Sequence, residues 1–168
     1  MSHVVKMELS IKDPKALEAA CKDLSAEVIA IDLRYQQVSL RWGDGTTQTI
    51  KYRSDSLHDL HVGQRLSVTV NPHETVTFFD RTVVTGTAIR LPGWRYPIVI
   101  PDDKALHGNK IFSDDYQGHW GDMKVFHRMK HLYAVHVGIQ AARKMGRTVV
   151  GRVVTQTATG TRTRIELA

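Results

Sequence analysis

Between Asp122 and Gly146 the apolar residues Val125, Met129, Leu132, Val135, Ile139 and Ala142 recur at steps of three or four. That spacing lines one side of an α-helix with apolar side chains. Asp122 supplies an N-cap and Gly146 a C-terminal stop, so the pattern predicts a helix of about six turns at 3.6 residues each. Such a helix must lay its stripe on another layer, and the rest of the chain has to provide one.

That layer is written in alternation. Val5, Met7, Leu9 and Ile11 occupy every second position, as a half-buried strand requires. Asp13 followed by Pro14 is an N-cap with a first-turn proline, and Leu17, Ala20, Cys21 and Leu24 then fall on one helical face. A strand over Ala26 to Leu33 completes β-α-β within the first 33 residues. Residues 34–81 change character. Val38 to Trp42, a Gly43-Asp44-Gly45 turn and Thr47 to Tyr52 read as a hairpin, and after a polar loop come Leu66, Val68 and Val70, an Asn71-Pro72 turn and Thr75 to Phe79. This stretch reads as an inserted all-β segment, either a small barrel or an extension of the main sheet. Two β-rich pieces flank Leu91-Pro92-Gly93-Trp94, and Pro97 and Pro101 confine the second to an edge or a short strand. After the long helix, Thr148 to Val154 and Thr161 to Leu167 form a terminal hairpin across Ala158-Thr159-Gly160. The predicted fold is α+β: a ferredoxin-like β-α-β…α-β-β core from 1–33 and 82–168, with an antiparallel sheet carrying two helices, plus the inserted segment 34–81.

A chain of 168 residues can bury a core without a staple. Its single cysteine, Cys21, excludes an internal disulfide, and no Cys/His cluster has zinc spacing. Cys21 falls on the apolar helix face, which makes it a packing residue rather than a nucleophile. A reducing, cytoplasmic setting is expected, with no leader block and no apolar run of about 20 residues for a membrane span.

Met1-Ser2-His3 running into a strand, the Ala-Ala-Cys-Lys-Asp-Leu segment of the first helix, Leu91-Pro92-Gly93-Trp94-Arg95-Tyr96-Pro97, the loop Asp115-Tyr116-Gln117-Gly118-His119-Trp120-Gly121-Asp122, Tyr133-Ala134-Val135 and the closing hairpin occur in one order. Over residues 1–33 and about 82–168 this series resembles the plastid, cyanobacterial and bacteriophage family known as domain of unknown function twelve-fifty-seven. The chain departs from that pattern in segment 34–81 and in the turn of its last hairpin. The resemblance implies an α+β fold and a phage setting; it carries no activity.

Charge is the remaining functional signal. From Met123 to Ala168 nine lysines and arginines stand against Glu166 alone, a net +8, while residues 1–122 hold 14 basic and 16 acidic groups, a net −2. Such asymmetry attracts anions. Arg128, Arg143, Lys144, Arg147, Arg152, Arg162 and Arg164 are the candidate phosphate contacts, since guanidinium forks suit phosphate oxygens, and Trp94, Tyr116 and Trp120 are candidate stacking partners for a base. The preferred reading is a non-catalytic binder of a phosphate-bearing ligand, either nucleic acid or a nucleotide signal sequestered from its receptor. A protein-partner or assembly role for segment 34–81, meeting an acidic protein, is the alternative. A metal-dependent phosphoesterase using Asp114, Asp115, His119 and Asp122 is a second alternative, although turns and helix capping account for the same aspartates. His127 and His131 are spaced to share a metal but lack a third ligand and read as surface histidines. Catalysis is unmotivated, and no cofactor or metal is expected: Walker, dinucleotide and nucleophile-elbow motifs are missing.

Overall fold

The computed structural model describes residues 4–157 and 160–168. Met1-Ser2-His3 and the Ala158-Thr159 part of the expected turn lie outside that range. The architecture is mixed α+β, with antiparallel sheets and, among the described residues, no barrel. A five-stranded sheet contains β1 (Val5–Glu8), β6 (Thr69–Thr77), β7 (Val83–Arg90), β8 (Ile98–Pro101) and β9 (Lys110–Ser113), in the order β1-β9-β8-β7-β6. A four-stranded sheet has the order β4-β3-β2-β5, from β2 (Ala26–Asp32), β3 (Gln37–Trp42), β4 (Thr47–Lys51) and β5 (Arg65–Leu66). The hairpin of β10 (Val149–Thr157) and β11 (Gly160–Leu167) stands as its own sheet.

Two longer helices pack against each other and share one buried core with both sheets: α1 (Pro14–Asp23) and α3 (Met123–Lys144), with the short α2 (Lys104–His107) preceding β9. Asp13 caps α1 by accepting the Lys15 and Ala16 N–H groups. Asp122 caps α3 through the Lys124 N–H, and Gly146 follows its end at φ +76, a left-handed geometry that glycine adopts without strain. The predicted stripe is buried at Val125, Met129, Leu132, Val135 and Ile139, joined by Phe126. It meets Ala16, Leu17, Ala20 and Leu24 of the α1 region, Val28, Leu40, Trp42 and Ile50 of the four-stranded sheet, and Ile89, Ile98 and Ile111 of the five-stranded one. Each fully buried large aliphatic or aromatic side chain here is worth roughly 1.5–3 kcal/mol. Val76, Phe78, Val84, Ala88, Val99 and Phe112 form a second, smaller core.

The pairing corrects the ferredoxin-like expectation. β1 pairs with β9, Val5 opposite Ser113, while β2 pairs with β3 and β5, so the first two strands lie in different sheets. The reason is local. The Asp32 carboxylate accepts the Arg34 and Tyr35 N–H groups, Gln36 takes φ +53, and β2 turns directly into β3, a loop closure far less costly in entropy than a distant pairing. Segment 34–81 is divided between sheets: β3 and β4 extend β2, β5 flanks its other side, and β6 pairs with β7. The strand ending at Pro101 is short, as expected, but central, because Pro101 falls at its last position opposite Gly86. Gly86 is required there, since a Cβ would lie 2.0 Å from the Ile100 carbonyl oxygen.

Candidate functional site

Alternation along the terminal hairpin separates its arginines. Arg152 faces inward and donates to Asp23 at 2.8 Å, beside a 2.7 Å contact from His136 Nε2 to the same carboxylate oxygen. Arg162 and Arg164 face outward, with Arg164 3.0 Å from Glu166. Arg143 and Lys144 are exposed in the last turn of α3, and Arg147 lies just past it. Arg162 pairs across from Thr155 near the hairpin tip, at the other end of α3. Arg128 is interior: Nη2 donates to Asp44 at 2.5 Å and to the Thr46 hydroxyl, and the guanidinium lies 5.0 Å from the Trp42 ring centroid. The candidate cations therefore do not form one outward patch.

Nor do the candidate aromatics join them. Trp94 is 5 % exposed; its Nε1–H donates to the Asp122 carbonyl at 3.2 Å, and its ring lies against Gly121 so closely that a Cβ there would come within 2.3 Å. That ring cannot receive a ligand. Tyr116 and Trp120 are half-buried in a cluster with Phe79, Tyr96 and His119, and Arg95 lies 4.6 Å from the Trp120 ring. Asp114 is buried and accepts the Tyr116 N–H. Among the described residues no group of three or more His, Cys, Asp or Glu side chains could hold a metal ion.

What the helix does bring together is a different set. Lys124, His127, Arg128 and His131 lie at i, i+3, i+4 and i+7 of α3, on one side of the helix. Facing them are Gln48 of β4 and Gly160 and Thr161 of β11, which close a cleft of about 320 Å³. None of its described lining residues is a carboxylate. Lys124 and His127 are exposed, and His131 is half-buried with Nε2 2.9 Å from the Thr163 hydroxyl. Burial, reinforced by the Arg128 charge, holds the His131 imidazole below the usual histidine range despite the opposing pull of Asp44. Two buried polar atoms of this lining, Arg128 Nε and Gln48 Oε1, have no hydrogen-bond partner among the described residues. Sequence reasoning treated His127 and His131 as surface groups. The signal that would have found the cleft is the spacing Lys124, His127/Arg128, His131 on a helix without a single acidic residue.

A second cleft of about 370 Å³ adjoins the first, and Lys124 lines both. Its walls are Thr49, Ile50 and Lys51 of β4, the turn residues Asp115, Gln117 and Gly118, and the start of α3. Asp122 fastens these walls together: one carboxylate oxygen takes the Lys124 N–H and the other the Lys51 N–H, each at 2.9 Å. Lys124 Nζ in turn reaches the Thr49 carbonyl at 3.4 Å. Tyr116 and Gln117 hold left-handed backbone at φ +44 and +54. Among the described residues no helix is long and apolar enough to cross a membrane. Compared with protein-family models, with curated proteins and with solved structures, the chain matches none.

Proposed function

We propose that this protein is a non-catalytic binder of a phosphate-bearing ligand, with the phosphate seated in the cleft of Lys124, His127, Arg128 and His131. The observation that carries the reading is the composition of that cleft: Lys124, Arg128 and two imidazoles, with no carboxylate among its described lining residues. Lys124 is the exposed cation of this lining, and a phosphate oxygen accepts from an ammonium in a charge-assisted hydrogen bond. The imidazoles of His127 and His131 line the same space and can donate ring N–H groups to an anion. Arg162 and Arg164 face outward and are not among the described residues lining this cleft, and in this reading they serve the long-range field. Membership of the plastid, cyanobacterial and bacteriophage family, proposed from the ordered motifs, is compatible with this role and supplies no chemistry of its own.

Titration calorimetry with inorganic phosphate tests the assignment. Lys124→Ala combined with His127→Ala should weaken binding by at least about tenfold, the loss of one to two charge-assisted contacts, and affinity should fall as salt is raised. Arg162→Ala with Arg164→Ala should leave it within about threefold, a difference under 1 kcal/mol. Unchanged affinity in the first variant, or a large loss in the second, rejects the cleft as the site.

A further inference from the structure

We infer that the ligand is a nucleoside phosphate, its phosphate in the cationic cleft and its sugar and base in the adjoining one. This inference rests on the phosphate assignment just made. The two spaces meet at Lys124, which lines both, and they run along the same strand, with Gln48 in one and Thr49, Ile50 and Lys51 in the other. Their volumes, about 320 and 370 Å³, fall within the range of small-molecule sites.

Their chemistry differs in the way a nucleoside phosphate differs along its length. The first cleft sets Lys124, Arg128 and two imidazoles beside Gln48 and Thr161, with no carboxylate among its described lining residues. The second offers the Asp115 carboxylate, the amides of Gln37 and Gln117, the Lys51 ammonium and the apolar flanks of Ile50 and Met123. A carboxylate accepts from sugar hydroxyls or from base N–H groups, amides pair with either edge of a base, and apolar flanks suit a flat heterocycle. With Asp115 and Asp122 set against Lys51 and Lys124, this space is less cationic than the first and suits the uncharged end of a ligand better than a second phosphate. The Asp115 carboxylate is free to act, because Asp122 is committed to the Lys124 and Lys51 N–H groups while the Asp115 side chain has no hydrogen bond among the described residues. Its neighbour Gln117 is held with φ +54, a geometry that a non-glycine residue keeps only where the surroundings enforce it. Those surroundings are the Gly118 and Trp120 N–H groups on the Asp115 carbonyl and the Tyr116 N–H on Asp114.

The experiment is calorimetry with inorganic phosphate, the common ribonucleoside 5′-monophosphates and a mixed-sequence single-stranded oligonucleotide. Asp115→Asn and Gln117→Gly are the variants: the first keeps shape, and the second suits the left-handed backbone, so neither should unfold the turn. At least one monophosphate should bind at least about tenfold more tightly than inorganic phosphate. Both variants should erase most of that advantage while phosphate affinity stays unchanged. Phosphate binding with no monophosphate tighter, or an oligonucleotide tighter than every monophosphate, overturns the nucleoside assignment and leaves the phosphate cleft standing. Absence of binding by all the probes removes the phosphate reading itself.

Discussion

The Arg128 side chain is 6 % exposed and its partner Asp44 5 %. Removing one member of a buried ion pair leaves the other charged and without compensation, which typically costs about 3–5 kcal/mol. Asp44→Ala should therefore destabilise the fold by that order in chemical denaturation. The double change Asp44→Leu with Arg128→Met should cost less than the single one, because no stranded charge remains. A double variant as unstable as the sum of its parts would refute the pairing. The identity of the pair was not legible in the sequence: Asp44 sits in a turn between two glycines, 84 residues from Arg128, and nothing local links them. Arg128 itself looked like an exposed cation because its neighbours on the helix are basic. The same blindness affected Trp94, whose burial depends on Gly121, a contact across a loop.

At the scale of the element, the long helix, α1, β2, the β3–β4 hairpin and the terminal hairpin were readable, because each carries its own period and its own cap or turn. Short strands were not. β9 is four residues, Lys110–Ser113, with Ile111 and Phe112 buried, too brief to show alternation inside a stretch that reads as an acidic loop. Sheet membership was equally hidden, since β1 and β9 are joined by backbone pairing rather than by any shared pattern. The candidate cleft was half legible, in the helix spacing, while the β4 and β11 residues that close it come from elements whose docking no period records. Asp122 shows how one residue couples such elements: it caps α3 and holds the exposed edge of β4 through Lys51. Asp122→Ala should cost about 1–2 kcal/mol as a lost cap and more for the freed strand edge. Asp122→Asn should recover most of the capping. Hydrogen exchange at the Lys51 amide should rise in the alanine variant, and an unaltered rate would contradict the coupling.

The molecule as a whole depends on how a two-stranded hairpin, which pairs with neither sheet, is kept on α3. A lone hairpin is marginal in water, so its attachments matter: Ile165 against Gly138, Thr163 on His131, Gln156 on the Thr47 carbonyl, and Arg152 on Asp23. Asp23 is the hub, at the end of α1 and touched by His136 of α3 and Arg152 of β10. Burial alone would raise its carboxyl pKa, but the hydrogen bonds and charges of Arg152 and His136 outweigh that and hold it below its ordinary 3.8. A carboxyl whose folded pKa is depressed contributes stability that is fully present above its unfolded value and is lost as pH falls through the folded one. Hairpin docking should accordingly be intact at pH 6 and weaken below about pH 4, visible as faster hydrogen exchange in β10 and β11 relative to α3. Asp23→Asn should lower stability at neutral pH by about 1–3 kcal/mol, the cost of a charged hydrogen-bond acceptor removed from a partly buried network. It should also flatten the acid dependence of that exchange, because the titrating group is gone. Since β11 supplies Gly160 and Thr161 to the cationic cleft, the same variant should weaken phosphate binding although Asp23 lines neither cleft. Undiminished phosphate affinity in a variant whose hairpin exchanges freely would show that the cleft does not need the hairpin to close it.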